Sequence, residues 1–232
     1  MEKIRLVCGT RTSREDFLKT SALGRSIALY AQSPGIQLQL FTENTSALSV
    51  IYNQAIEAAL KDPAILVFIH DDVHLTDFYW QEKIRQSLEH FDIVGLAGNK
   101  RRTDKQPSWA FILNGQGASE WDQPENLSGI VGHGSGFPCA NLQVYGPPGQ
   151  ECKLLDGMMI IVDSQTLARH NLRFDPQFAF HFYDMDFCRQ AEIRGLRMGT
   201  WPICTVHESK GTAFGTEAWR HAYLEYLKKY PT

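Results

Sequence analysis

The chain has 232 residues, 43% hydrophobic and 21% charged, the composition of a soluble globular protein long enough for one large domain. With 26 acidic against 23 basic residues its formal charge is −3, which excludes a general electrostatic attraction to nucleic acid or to an anionic membrane. Five cysteines, Cys8, Cys139, Cys152, Cys188 and Cys204, are odd in number and lack CxxC spacing, which argues against a disulfide framework and a zinc site and for a reducing compartment.

No stretch approaches the length needed to span a bilayer. The opening Met1-Glu2-Lys3-Ile4-Arg5-Leu6-Val7 interleaves charge with apolar residues and lacks the apolar centre of a secretory leader. The expected location is cytoplasmic, with peripheral membrane attachment left open.

Ile4 to Cys8 has the pattern of a first strand, broken by Gly9-Thr10-Arg11. Ser13, with Asp16 three residues on, opens a helix that carries Phe17, Leu23, Ile27 and Tyr30 and stops near Pro34-Gly35. Ile36 to Phe41 is a second strand. Ser46 is the expected cap of a helix with Leu48, Ile51, Tyr52, Ala55, Ile56 and Ala59 on one face, ended by Asp62-Pro63.

Ala64 to Ile69 is a short, continuous apolar run, the signature of a strand buried on both faces of a parallel sheet. It runs straight into His70-Asp71-Asp72-Val73-His74. Ligand sites of parallel sheets lie at the carboxyl ends of their strands. Carboxylate and imidazole donors there suit a divalent cation, Mg2+ or Mn2+ where the substrate is phosphorylated.

A helix from Thr76 or Asp77 through Trp80, Ile84 and Leu88, then a strand from Phe91 to Ala97, complete the strand–helix alternation of an α/β domain with right-handed crossovers. From Gly98 to about Leu155 periodicity is weak and Gly, Pro, Asn, Ser and Gln dominate, with Trp109, Trp121, Phe137 and Tyr145 among them. This stretch is expected to form short strands and a long functional excursion. The basic run Lys100-Arg101-Arg102 with Lys105 could meet a diphosphate or simply be solvated.

A strand from Leu154 to Val162, a short helix from Ser164 to His170, and a helix from Phe180 to about Gly195 follow. Asp184 and Asp186 fall in the first turn of that last helix, where the macrodipole favours negative charge. The final elements are a strand region from Leu196 to Val206, His207 after it, and a helix from Glu217 to Tyr230. The aromatic stripe of that helix suits core packing, and Arg220, Lys228 and Lys229 leave a membrane-surface face as the alternative.

Asp71/Asp72, Asp184/Asp186 and His207 can converge on one edge of such a sheet. A cation held by Asp72 and His207 would neutralise a departing diphosphate, and a separate carboxylate could take the proton of an incoming hydroxyl. No GxxxxGK[ST] loop, GxGxxG after a strand or GxSxG elbow is present, which argues against a P-loop NTPase, a dinucleotide site and an α/β-hydrolase.

In order and spacing these segments resemble a nucleotide-sugar glycosyltransferase of GT-A fold, in the broad family-2-like group. The resemblance rests on Gly9-Thr10-Arg11, on Glu43-Asn44-Thr45 followed by Tyr52-Asn53-Gln54-Ala55-Ile56, and on Phe68-Ile69-His70-Asp71-Asp72-Val73 at the DxD position. Asp156-Gly157-Met158-Met159, Phe182-Tyr183-Asp184-Met185-Asp186-Phe187-Cys188-Arg189 and the late His207 complete it. It implies a three-layer α/β fold with a central, mostly parallel sheet in one domain. Within that domain, residues 1–98 would be the nucleotide-binding half, 99–155 the excursion, and 156–232 the acceptor half.

The resemblance also implies roles. Asp72 and His207 would bind Mn2+ or Mg2+, with His70 as a further candidate. Asp71, Thr10, Arg11, Asn44 and Asn53 would contact the nucleotide. Asp184 would be the general base of an inverting transfer. Asp186 would order the helix start or Arg189. Asp156, Gly157 and Trp109 would lie by the sugar or acceptor. The implied donor is a nucleoside diphosphate sugar, UDP-linked, and the acceptor a hydroxyl on a glycan, a lipid-linked molecule or a protein.

Two positions depart from the family pattern: His70 stands for its first DxD carboxylate and Tyr183 for the Glu before the base. A sugar nucleotidyltransferase, for which the Gly-rich basic loop is missing, and a nucleotide-sugar-binding protein without transferase activity remain the alternatives.

Overall fold

The computed structural model describes residues 2–30, 33, 35–209 and 214–231, so the expected stop at Pro34 and the stretch 210–213 lie outside the described residues. The first half alternates strand and helix as the apolar periodicity predicts. β1 (Ile4–Gly9) is followed by α1 (Arg14–Thr20) and α2 (Ala22–Ala28), where a single helix was expected. The break is Ser21, extended at φ −73°, ψ 152°. Its hydroxyl donates to the Phe17 carbonyl at 2.7 Å and accepts from the Gly24 amide at 2.9 Å, so one side chain closes the first helix and opens the second.

Next come β2 (Ile36–Phe41) and α3 (Leu48–Lys61). Ser46 does not cap α3; the helix starts from Ala47 without a side-chain cap. Both polar backbone groups of Ser46 are bound by the Asn44 amide instead, at 3.0 and 3.1 Å. β3 (Ile65–Ile69), β4 (Val73–Leu75), α4 (Trp80–Leu88), β5 (Ile93–Gly95) and β6 (Ala97–Asn99) complete this half.

The stretch expected to be irregular contains β7 (Phe111–Leu113), β8 (Ser119–Trp121), a 3-10 turn at Pro124–Asn126, β9 (Leu127–His133), β10 (Asn141–Gly146), β11 (Glu151–Cys152) and β12 (Leu154–Leu155). β13 (Met159–Asp163), α5 (Ser164–Arg169), α6 (Tyr183–Ile193), β14 (Met198–Thr200), β15 (Thr205–His207) and α7 (Glu217–Lys229) follow.

Seven strands form the large sheet in the order β11-β14-β5-β13-β3-β1-β2. β3, β1 and β2 are parallel, as are β14 and β5. β13 runs antiparallel to both β3 and β5, and β11 antiparallel to β14, so the sheet is mixed rather than mostly parallel. A second sheet runs β12-β6-β9-β15-β4, with β10 paired to β9.

Four apolar segments cross from the large sheet to the small one: β3 to β4, β5 to β6, β11 to β12 and β14 to β15. The crossings after β3, β5 and β14 fall within or at the end of what the sequence suggests is one strand, and the expected strand from Leu154 to Val162 is likewise split into β12 and β13 on different sheets. The seam between the sheets holds His70-Asp71-Asp72, the link from β3 to β4. Both faces of β3 are covered, and all five of its residues are buried, as its unbroken apolar run requires.

The core-packing reading of the C-terminal helix is the one the structure supports. Phe182, buried at the start of α6, stacks on Tyr223 with ring centroids 5.5 Å apart and lies 5.2 Å from Tyr226. Its φ of 65° is a left-handed conformation that costs a bulky side chain about 1–3 kcal/mol and persists only where packing enforces it.

Asp186 is fully buried and spends its carboxylate on α7, accepting from Tyr230 Oη at 2.7 Å and from Lys229 Nζ at 2.6 Å, with Gln190 Nε2 at 2.7 Å. It does not pair with Arg189, whose partner is Glu192. Asp186→Ala would strand Lys229 and the Tyr230 hydroxyl. The expected loss is about 2–3 kcal/mol in urea unfolding, discounted for the partial exposure of Lys229.

Candidate functional site

The end of β3 delivers His70, Asp71 and Asp72 to the seam, and the ladders bring distant residues to them. β15 runs antiparallel to β4 with His207 opposite Val73, which places His207 beside Asp72 although 135 positions separate them in the chain. β9 runs parallel to β15 with His133 opposite His207, so a further imidazole borders the group. β13 runs antiparallel to β3 with Met159 opposite Ile69, which carries the preceding Asp156-Gly157 turn to the same edge.

His70, Asp72 and His207 form a cluster whose potential ligand atoms all lie within 4.8 Å of one another. His207 Nε2 is 3.3 Å from Asp72 Oδ1. That oxygen is buried and its contact with His207 is long, which leaves lone-pair capacity unspent. Burial would raise the Asp72 carboxyl, but the His207 and His70 imidazoles outweigh it and hold it below the usual carboxylate range. His207 is the complement: burial would lower it, yet the Asp72 contact and the nearby Asp156 raise it above the ordinary histidine value. Burial keeps His70 below that value.

A buried carboxylate oxygen with unspent lone-pair capacity between two imidazoles is a donor set that fits a divalent cation. Two nitrogen donors suit Mn2+ better than Mg2+, which prefers oxygen and water.

Two cavities meet at this cluster. The larger, about 380 Å³, is bounded by Gly9, Thr10, Arg11, the 44–48 loop, Tyr52, the 70–72 turn and Phe180. Thr10 Oγ1 donates to Asp71 Oδ2 at 2.7 Å, so Asp71 braces the cavity wall. Asn44 holds the loop toward α3 and Arg11 stands exposed at the rim, where no ion pair engages it among the described residues. The smaller cavity, about 170 Å³, is bounded by Trp109, Asp156, Gly157, His181, Asp184 and Trp219, among others. His70 and Phe180 line both and stack with ring centroids 6.1 Å apart, forming the partition between them.

Asp184 sits at the floor of the smaller cavity. Its Oδ2 accepts from the Gly157 amide at 3.1 Å and its Oδ1 from the Met185 amide at 2.8 Å. Burial, with the Asp156 carboxylate second, pushes its carboxyl up to about 7. That value is suited to a general base working near neutral pH. Gly157 has to be glycine here, because a Cβ would run into the Tyr183 hydroxyl.

The structure thus brings together Thr10, Arg11, Asn44, Asp71, Asp72, His70 and His207 on one side, and Trp109, Asp156, Gly157 and Asp184 on the other. Asn53 is not among them. It points away from the cavity, and its amide holds the 173–178 turn through Phe174 O at 2.7 Å and Phe174 N at 3.0 Å. Its helical neighbour Tyr52 lines the cavity instead, with its hydroxyl buried beside that of Tyr183.

Two members of the basic run are also engaged elsewhere. Arg101 pairs with buried Asp122 and Arg102 with Glu192. His74 is bound by Glu208 at 2.7 Å. Phe180, Tyr183, Trp219 and His133 belong to the site and carry no local sequence signal for it.

No protein family matches the sequence, and no curated protein matches it. Among solved structures the chain is similar to A197 from STIV, with a TM-score of 0.47 and 12% identity over 86% of this chain and 82% of that one. It is similar to the catalytic domain of Drosophila beta1,4-galactosyltransferase 7, solved with xylobiose, with a TM-score of 0.44 and 10% identity over 86% of this chain and 65% of the other. It is also similar to GalNAc-T7, solved with UDP, GalNAc and Mn2+, with a TM-score of 0.53 and 8% identity. That match covers 98% of this chain and 48% of GalNAc-T7, so the chain spans about half the length of that structure. At this identity the likeness is one of fold: the chain has a GT-A-like α/β fold.

Proposed function

We propose that this protein is a metal-dependent glycosyltransferase that moves a sugar from a nucleoside diphosphate donor, UDP-linked, to a hydroxyl acceptor with inversion. The observation that carries the reading is the pairing of two cavities across one partition. A cation-fitting cluster opens on the first, and a carboxylate with a neutral-range pKa opens on the second.

In this reading the larger cavity takes the nucleotide. Arg11 and the backbone of 44–48 meet its polar groups, and the Tyr52 ring forms part of its wall. His70, Asp72 and His207 would hold a divalent ion, Mn2+ by preference, which would supply positive charge against the leaving diphosphate. Asp184 accepts the proton of the acceptor hydroxyl as its oxygen bonds to the anomeric carbon. The bond to the diphosphate breaks with its electron pair leaving on the diphosphate. Trp109, Trp219 and Phe180 wall the smaller cavity with apolar surface and keep water from competing for the donor. The five unpaired cysteines agree with a cytoplasmic location, and no helix among the described residues is long and apolar enough to cross a membrane.

A panel of nucleotide sugars with and without Mn2+, followed by thermal shift and by release of free nucleoside diphosphate, tests the reading. One donor is expected to raise the melting temperature only with Mn2+ and to be turned over slowly even by hydrolysis. Binding without any turnover would leave a nucleotide-sugar-binding protein. Pyrophosphate release from a sugar phosphate and a nucleoside triphosphate would make it a nucleotidyltransferase.

A further inference from the structure

Tyr183 occupies the position before Asp184 where the resemblance expects a carboxylate. Its ring is 2% exposed and packs against Tyr52 and Phe174, each 5.9 Å away by centroid. Its hydroxyl has two close partners: the Gly157 carbonyl oxygen at 2.7 Å and His70 Nε2 at 2.8 Å. A phenol carries one hydrogen, and a carbonyl oxygen carries none. The Tyr183 proton is therefore committed to Gly157, and the contact to His70 has to be supplied by an N–H on Nε2.

The Tyr52 hydroxyl lies close to the Tyr183 hydroxyl and does not disturb this assignment, because the Gly157 carbonyl can only accept and the Tyr183 oxygen has a second lone pair for any further donor. A neutral imidazole with its hydrogen on Nε2 carries its lone pair on Nδ1. That nitrogen has no hydrogen-bond partner among the described residues.

We infer that Tyr183 is a positioning residue that locks His70 in the Nε2–H tautomer through a relay ending at the Gly157 carbonyl, so that Nδ1 is the atom His70 offers to a divalent cation beside Asp72 and His207. Ligating histidines commonly donate their other N–H to an oxygen that fixes ring and tautomer, and loss of that partner weakens metal binding about 10–100-fold. Here the oxygen is a phenol, itself oriented by a backbone carbonyl. The same Gly157 peptide donates its N–H to Asp184, so one residue braces both the cation cluster and the carboxylate of the neighbouring cavity. The tyrosine that departs from the family pattern thus serves the histidine that departs from it.

The inference rests on the metal reading proposed above, and its test separates the two. Histidine tautomers are read in metal-free, 15N-labelled protein at pH 8 from two-bond nitrogen–proton correlations, with His70 assigned by its absence in His70→Gln. Mn2+ binding is measured on the protein alone by calorimetry. Wild type is expected to show a single Nε2–H form for His70. Tyr183→Phe, which keeps the packed ring, is expected to show mixed tautomers and to bind Mn2+ about 10-fold or more weakly. A wild-type His70 in the Nδ1–H form overturns the inference whether or not the variant folds. So does undiminished Mn2+ affinity in a folded Tyr183→Phe. Failure of the wild type to bind Mn2+ at all overturns the metal reading itself, and the ligand part of this inference with it.

Discussion

Asp72→Ala is expected to abolish Mn2+-dependent binding of UDP, with an affinity loss of at least ~100-fold, about 2.7 kcal/mol. The residue contributes the only carboxylate of the cluster, and its Oδ1 is buried with lone-pair capacity unspent while two imidazoles surround it. As a metal ligand, that oxygen is held ready for an ion. Removing it leaves two imidazole nitrogens with no negative charge among them to offset the charge of a divalent ion.

Asp72→Asn is the finer variant, because it keeps the volume and removes the charge. It is expected to lose nearly as much affinity as the alanine variant, since a neutral amide oxygen is a weaker ligand for a hard cation. Calorimetry of UDP with and without Mn2+ checks both. Wild-type affinity in either variant, or a wild type indifferent to Mn2+, would remove Asp72 from the metal site.

Asp184→Asn is expected to separate chemistry from binding. Sugar transfer should fall by about 10²–10⁴-fold, the usual contribution of a positioned general base, while Mn2+ and UDP affinities stay within about twofold. The wild-type rate should rise with pH through about 7 and level above it, because the carboxyl must be ionised to accept a proton and burial beside Asp156 sets its value there.

Stability has the opposite sign. A carboxyl raised from its unfolded value near 3.8 to about 7 stabilises the fold, relative to an ordinary carboxyl, only while protonated. This contribution is full below pH 4 and is lost as pH rises through 7. The asparagine variant, which never ionises, should therefore match wild type below pH 4, pull ahead of it as pH rises from 4 to 7, and melt at a clearly higher temperature at pH 8. A variant that transfers normally, or one that gains nothing at pH 8, would contradict the role and the burial argument respectively.

How far the sequence announced this site depends on which force placed each residue. His70, Asp71 and Asp72 follow directly from a run of six apolar residues ending in carboxylates, because a strand buried on both faces must emerge at an edge. The partnership of Asp72 with His207 has no such local cause. It comes from the antiparallel ladder of β15 on β4, and pairing between strands this far apart leaves no periodicity to find. The direction of β13 was equally hidden: its apolar run is the same read either way, and only the sheet shows it antiparallel to β3.

Asn53 shows the opposite failure. One residue along α3 turns a side chain by about 100°, so the motif that suggested Asn53 for the nucleotide points Tyr52 at the cavity and Asn53 at the Phe174 backbone. The break at Ser21 was legible in principle, since a serine that caps in both directions competes with helix on each side. Trp109 was expected on the acceptor side, but Phe180 and Trp219, which complete that aromatic wall, were not, because aromatic residues mark core and cavity lining alike.

Everything proposed for catalysis depends on His70, Asp72 and His207 together holding the ion that faces the nucleotide. Diffraction from crystals grown with Mn2+ and UDP, recorded at the manganese absorption edge, addresses that arrangement without an intermediate assumption. One anomalous peak is expected within ligating distance of His70 Nδ1, an Asp72 carboxylate oxygen and a His207 ring nitrogen, with UDP density in the cavity bounded by Arg11 and Tyr52. UDP density in that cavity with no manganese at the cluster, or manganese bound elsewhere, would contradict it.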